Sequence, residues 1–554
     1  MSLGLPSSPL PTGFDGPFVP KLVSVLREGY GLAALRADAV AGLTVAIVAL
    51  PLSMAIAIAS GTTPERGLFT AIVGGFVISA LGGSRFQVGG PAGAFIVLVA
   101  ATVARHGVEG MLLATLMAGI FLVAAGALRL GTFVKFIPYP VTVGFTAGIA
   151  VIIFASQLKD LCGLTLDGRE PGEFAAKLEV LAGAFGTVNA AAVVLAAITI
   201  GLILGLRKLR PHWPGMLVAV VAASLATFAF GLPVETIGSR FGGIPSMLPA
   251  PSLPDMSPSK MLAVLPDALA FALLGAIESL LSAVVADGMT GRRHRSNCEL
   301  VAQGIANIGA ALFGGICATG TIARTATNVR AGARGPVAGM LHSAFLLAFM
   351  LLAAPLAAYI PLAALAGVLA VVAWNMAEKH EFMTLLRSSR GDAVVLLSTF
   401  LLTVFRDLTE GIVVGVALGV VLFLQRMTTT SGVEAHAARA PFAPDLVTDR
   451  QVFVYRLSGA FFFGTASTVG AALDRIADQH KAFVIDLSAV PFIDSTAANV
   501  IAGIGRKALR HSVRVYVTGA NPSVRHMLLR AGAGRPQVRY KRRIDDAVRE
   551  AHLL

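Results

Sequence analysis

From about residue 38 to residue 426 one apolar stretch follows another, each about 15 to 25 residues long and separated from the next by a short polar break. A hydrocarbon core about 30 Å thick is crossed by a helix of about 20 apolar residues. Lipid offers the backbone no hydrogen-bond partners, so runs of this kind must form helices that satisfy their own peptide groups. The pattern therefore implies a polytopic α-helical membrane protein. With 55% of its 554 residues hydrophobic and 14% charged, the chain carries more apolar surface than a water-soluble core of this length can hide.

The spans fall into two sets. The first covers residues 38–60, 67–82, 89–104, 109–128, 141–158, 187–206 and 214–231. The second covers 263–287, 298–315, 319–331, 335–354, 358–375, 392–406 and 410–425. A polar connector containing PSLPDMSPSK, Pro251 to Lys260, lies between them. Seven is odd, so the second set enters the membrane from the face opposite to the first. The expected architecture is 14 spans as a 7+7 inverted repeat, with two half-helices meeting at the midplane.

Expected domains follow from the same breaks. Residues 1–37 form a cytoplasmic N-terminal segment with no signal-peptide pattern and an amphipathic patch around Lys21 to Tyr30. The first transmembrane repeat is 38–231, the connector 232–262, the second repeat 263–426 and a linker 427–448. Residues 449–554 change to soluble alternation and form a small cytoplasmic α/β domain. Its expected strands are Val452 to Gly459, Ala482 to Val490 and Val513 to Gly519, with helices at 465–480, 495–510 and 522–531. The start of the second of these helices is clear, because Asp-Ser-Thr stands ahead of a helical period.

The net charge of +13 raises the question of a nucleic-acid partner. Its distribution excludes one. Arg207, Lys208 and Arg210, then Arg292, Arg293 and Arg295, then Arg330 and Arg334, then Lys379, Arg387 and Arg390 sit in loops on one face. That is the positive-inside pattern, with both termini cytoplasmic in a bacterial inner membrane. Cys162, Cys298 and Cys317 have neither metal-ligand spacing nor a disulfide framework. No His/Cys/Glu cluster suggests a metal enzyme, and GGSRFQVGGPAG lacks the Lys-Ser/Thr ending of a phosphate-binding loop. No cofactor, metal or enzymatic activity is expected.

The third span opens with GGPAGAF, Gly89 to Phe95, and the tenth with ATGTIAR, Ala318 to Arg324; both are short. Paired short, glycine-interrupted segments at matching places mark a transporter's binding site. The first turn of a helix leaves N–H groups unpaired and carries partial positive charge, which suits an anion. Ala92, Gly93, Ala94 and Phe95 on one side, and Thr321, Ile322, Ala323 and Arg324 on the other, are the candidate substrate-binding residues. Arg324 adds a full charge; its alternative is an internal ion pair. Glu278 lies mid-span in the eighth segment, where an ionised carboxylate is costly without a partner or a proton, and Ser282 shares its helix face. They are the candidate proton-coupling residues, the alternative being a structural Glu278–Arg324 pair. Asp287 and the GRRHR run mark a cytoplasmic boundary, and His342 is expected to be a packed, hydrogen-bonded histidine.

The segments LPLSMAIAIASG, GGSRFQVGGPAGAF, LGAIESLLSAVVADGMTG and IARTATNVRAG together resemble the sulfate permease (SulP) family of anion transporters. VIDLSAVPFIDSTA resembles the STAS domain that ends those proteins. The resemblance implies a core domain moving against a gate domain, a homodimer, and a substrate held between Ala92–Phe95 and Thr321–Arg324. It also places the coupling ion at Glu278; sodium-coupled bicarbonate members carry aspartate there, so glutamate favours protons. Many members have Pro-Gln where this chain has Pro51-Leu52, which counts against sulfate. LGAIESLL and DGMTG look most like a bacterial branch that takes up four-carbon dicarboxylates. The expected function is proton-coupled symport of such a dicarboxylate, with sulfate or bicarbonate transport, or an uncoupled anion channel, as alternatives. Thr496 falls near the position phosphorylated in anti-sigma antagonists that share the domain, its plainer role being helix capping. A cytoplasmic protein partner for the STAS domain is a further expectation.

Overall fold

The computed structural model describes residues 16–136, 138–166, 171, 174–210, 213–406, 408–430, 432–435, 452–463 and 482–553. The chain divides into two compact units, Met1–Val416 and Ala417–Leu554.

In the first unit a short helix α1 (Lys21–Arg27) precedes α2 (Leu32–Ala59), and α3 runs over Pro64–Leu81 with a π-turn at Thr70–Gly74. A two-residue strand β1 (Gly89–Gly90) leads into α4 (Gly93–Ala127). The third and fourth expected spans are both in α4, divided at Gly107, whose φ of +68° no helix accommodates. Next come α5 (Tyr139–Cys162), an amphipathic α6 (Phe174–Gly183), α7 (Ala190–Leu209) and α8 (Gly215–Phe230). Asn189 caps α7 by accepting the N–H groups of Ala191 and Ala192. A one-turn α9 (Ile237–Phe241) lies in the connector.

The second half repeats the order: α10 (Pro258–Thr290), α11 (Ser296–Leu312), strand β2 (Thr319–Gly320) and α12 (Ile322–Arg330). Then follow α13 (Val337–Ala357), α14 (Leu362–Met376), a polar α15 (Lys379–Ser388), α16 (Arg390–Phe405) and α17 (Leu408–Thr430). Among the described residues nine helices are long and apolar enough to cross a membrane, and Gly215–Phe230 is a shorter apolar one. Both half-spans start later than expected, because Gly89–Gly90 and Thr319–Gly320 are strands and not first turns.

Helix packing has the symmetry of an inverted repeat. Where α2 packs on α13, α10 packs on α4; where α13 packs on α3, α11 packs on α4. α5 and α14 pack on each other, with α16 on α5 answering α7 on α14. One constant offset of 229 residues relates Asp38 to Asp267, Ser53 to Ser282, Gly90 to Thr319 and Arg105 to Arg334. Gly90 and Thr319 are also paired across the β1–β2 ladder, so the ladder sits where the two halves exchange.

Close crossings depend on absent side chains. A Cβ on Gly304 would lie 2.5 Å from the Gly119 carbonyl oxygen, and one on Gly119 would lie 2.7 Å from that of Gly304. Without a hydrophobic drive between helices in lipid, such backbone contact is what holds them together.

The second unit is a five-stranded sheet in the order β3 (Gly432–Ala435), β4 (Val452–Ser458), β5 (Ala482–Ala489), β6 (Arg514–Thr518) and β7 (Val538–Lys541). Only β3 pairs antiparallel; the others are parallel. Helices α18 (Ser495–Arg510) and α19 (Pro522–Arg530) cover one face, and α20 (Ile544–His552) the other. The edge strand β3 falls inside the expected linker, and the expected helix at 465–480 lies outside the described residues.

Gly304→Ala should lower the thermal midpoint in detergent, with a loss of about 1–3 kcal/mol from overpacking. Gly205→Ala in α7, where nothing lies within 4 Å of the added methyl, is the control and should leave it unchanged or higher.

Candidate functional site

The two short strands meet as an antiparallel pair, Gly89 opposite Gly320 and Gly90 opposite Thr319. The pairing satisfies backbone groups of four residues that are all buried inside the protein, where an unpaired peptide group is costly. Thr321 extends it: its N–H and its hydroxyl both donate to the Val88 carbonyl, at 3.1 and 3.2 Å. From this ladder the two half-helices depart, one through a 3₁₀ turn at Gly93–Phe95 and the other at Ile322.

Arg324 is 2% exposed and lies over the ladder. Its Nη2 donates to Ser53 Oγ (3.0 Å) and to the Pro91 carbonyl (3.3 Å), and its Nη1 to the Gly89 carbonyl (3.5 Å). Gly90 is required beneath it, since a Cβ there would lie 2.0 Å from Nη1, and its φ is +154°. None of these bonds involves a carboxylate, and the Nε atom has no partner. An internal Glu278–Arg324 ion pair is thus not what holds the arginine.

The eight candidate residues are brought together in the sense that both helix starts flank this ladder, but their side chains are not equally placed. Ala92 and Ala94 are buried, Gly93 and Ile322 half-buried, and Ala323 exposed. The Phe95 ring packs edge-on against Phe271 of α10 at a centroid distance of 6.0 Å, so it is committed to the core. Gly93 lies against Ile153 of α5 and Met376 of α14, where an added Cβ would meet them at 3.2 and 3.4 Å. The half-helix start therefore faces a second group of helices across a close contact.

Glu278 is 7% exposed on α10, and no hydrogen bond or ion pair joins it to another described residue. Ser282, one turn on, is fully buried and donates to Thr325 Oγ1 (3.0 Å), which accepts the Val88 N–H (3.2 Å). Thr319 Oγ1 donates to the Gly275 carbonyl of α10 (3.3 Å). Ser282 thus ties α10 to the ladder. Ser53 and Thr325 were not among the expected site residues. The signal that could have found Ser53 is the offset to Ser282: DAVAGLTVAIVALPLS (Asp38 to Ser53) and DALAFALLGAIESLLS (Asp267 to Ser282) begin and end alike.

His342 is fully buried, but neither ring nitrogen has a hydrogen-bond partner, which corrects the expectation of a bonded histidine. In the second unit, α18 is capped by Asp494, whose carboxylate accepts the Ala497 N–H at 2.8 Å. Thr496, exposed in the first turn, has no capping role.

Residues 35–399 match the sulfate permease family and residues 443–551 the STAS domain. This chain belongs to the sulfate permease family. It is a multi-pass membrane anion transporter with a C-terminal STAS domain and not an enzyme. YvdB of Bacillus subtilis, which carries a provisional sulfate-transporter name, is 40% identical over 91% of this chain and 95% of its own. The bicarbonate transporter BicA of Picosynechococcus is 31% identical over 89% and 90%. Among solved structures, SLC26A9 aligns with a TM-score of 0.85 at 17% identity, covering 97% of this chain and 93% of its own, a likeness of fold.

Arg324→Ala removes the full charge beside both helix starts and should weaken anion binding about tenfold to a hundredfold, measured by calorimetry on purified protein. Unaltered affinity would reduce Arg324 to a support for the ladder.

Proposed function

We propose that this sulfate permease family member is a proton-coupled importer of a small dianion. The observation that carries the reading is a buried guanidinium held between two helix starts by neutral partners alone, with an unpartnered carboxylate on the adjacent span. Each helix N-terminus contributes roughly half a positive charge, so with Arg324 the site offers about two. A dianion balances that when Glu278 carries a proton. When Glu278 is ionised the balance is lost. Proton and anion binding then favour each other, and the coupling is reciprocal.

Ala92, Gly93, Ala94, Thr321, Ile322 and Ala323 supply backbone at the helix starts, with Phe95 a core support and Ser282 a brace for Glu278's helix. The basic loops support a bacterial inner-membrane orientation with both termini cytoplasmic, so the proton gradient drives uptake. Within dianions, the relative's name supplies sulfate and the motifs supply a four-carbon dicarboxylate.

In proteoliposomes, an inward proton gradient should drive accumulation of radiolabelled fumarate or sulfate, and mutual competition should identify the preferred one. Glu278→Gln should abolish gradient-driven accumulation while leaving anion exchange. Unchanged gradient-driven uptake in that variant would remove Glu278 from the coupling step.

A further inference from the structure

The first span of each repeat carries one buried aspartate far from the ladder. Asp38 in α2 is fully buried, Asp267 in α10 is 5% exposed, and the repeat offset relates them. A lone buried carboxylate is expensive, so a chain that keeps two at matching places uses them for more than filling space.

Both reach across to the opposite repeat. Asp38 Oδ1 accepts the backbone N–H groups of Arg334 (2.5 Å) and Gly335 (3.1 Å), in the corner that follows α12, while Oδ2 accepts the Tyr30 hydroxyl (2.6 Å). Asp267 Oδ1 accepts from Thr102 Oγ1 (3.0 Å) and Arg105 Nη2 (2.5 Å), and its Oδ2 lies 3.4 Å from His106 Nε2. Those three residues form the last turn before the break at Gly107. Arg105 and Arg334 are themselves equivalent under the 229-residue offset. The first span of each half thus grips the far end of the other half's short helix.

We infer that Asp38 and Asp267 are a matched pair of positioning residues that aim the two half-helix N-termini at the anion. A helix start attracts an anion only where its N–H groups point. α12 has only 9 residues, about 13 Å of helix, fixed at its near end by the β1–β2 ladder and at its far end by Asp38. Releasing the far end leaves Asn328, whose Nδ2 donates to the Phe86 carbonyl (2.8 Å), as the side-chain tie of the last turn, so the helix axis can tilt and its first-turn N–H groups lose their aim. Asp267 does the same for the α4 half-helix. The two grips differ in kind: Asp38 needs only an acceptor oxygen for two peptide N–H groups, whereas Asp267 faces a cation.

This inference rests on the anion site proposed above, and the test separates the two. The full chain, purified in detergent, is titrated with sulfate and with fumarate by calorimetry, alongside its thermal midpoint. Asp38→Asn keeps the acceptor and should bind within about threefold of the parent, whereas Asp38→Ala should weaken binding about tenfold or more. Asp267→Asn and Asp267→Ala should both weaken it about tenfold, because neither offers Arg105 a negative charge. If the alanine variants do not fold, Arg105→Gln, at a position 60% exposed, should reproduce the Asp267 effect. Parent protein that binds neither anion overturns the site itself. Parent binding with all variants of equal affinity and lowered midpoints makes both aspartates structural only and overturns the positioning role.

Discussion

The structure depends on one short ladder. Where two helices begin inside a bilayer, four peptide N–H groups at each start have no partner in their own helix, and lipid supplies none. The chain pairs the segments that lead into the two starts, Gly89–Gly90 with Thr319–Gly320, which satisfies the approach to each helix but not its first-turn N–H groups. A network of hydroxyls and one guanidinium is organised around that pair. Thr321 and Thr325 anchor Val88, Thr319 and Ser282 tie the ladder to α10, and Arg324 spans it to reach Ser53 on α2. The first-turn N–H groups beyond the ladder, apart from that of Phe95, which donates to the Ala92 carbonyl (3.1 Å), are where the proposed anion would be stabilised.

Small residues make the ladder possible. Gly90 lies under the Arg324 guanidinium and Gly320 under the Gln87 side chain, where a Cβ would lie 1.4 Å from Nε2. Burying a guanidinium with only neutral partners leaves its charge uncompensated inside the protein, a state that a packed ion pair would avoid. On the proposed function, an arriving dianion would supply the missing compensation. On the same proposal, the ionised form of the buried glutamate on α10 would compete with the substrate for that positive field.

The apolar runs made the membrane class legible, since span length follows from hydropathy, and the seven expected spans on each side of the connector pointed to the inverted order. The two half-helices were legible from glycine and polar residues interrupting short spans, and Arg324 and Glu278 from charge in an apolar setting. The ladder was not, because two residues of strand carry no periodicity and Gly-Gly signals flexibility as readily as pairing. Ser53 was hidden for a related reason, being one hydroxyl in an apolar helix that ordinarily bonds back to its own carbonyl, as it also does here to Ala49. Phe95 was legible only as a residue at a helix start; that its ring packs against Phe271 of α10 depends on side-chain direction, which the sequence does not carry. In the soluble unit, strand β3 escaped notice because a short edge strand with one partner needs little hydrophobic patterning.

The reciprocal link between proton and anion is open to direct measurement on purified protein in weakly buffered solution. Adding sulfate or fumarate and following the pH reports whether binding takes up a proton. With the linkage described here, saturation should take up close to one proton per anion, and Glu278→Gln should take up none while still binding. Saturable anion binding with no proton uptake by the parent protein would contradict coupling at Glu278 and leave an uncoupled anion pathway in its place.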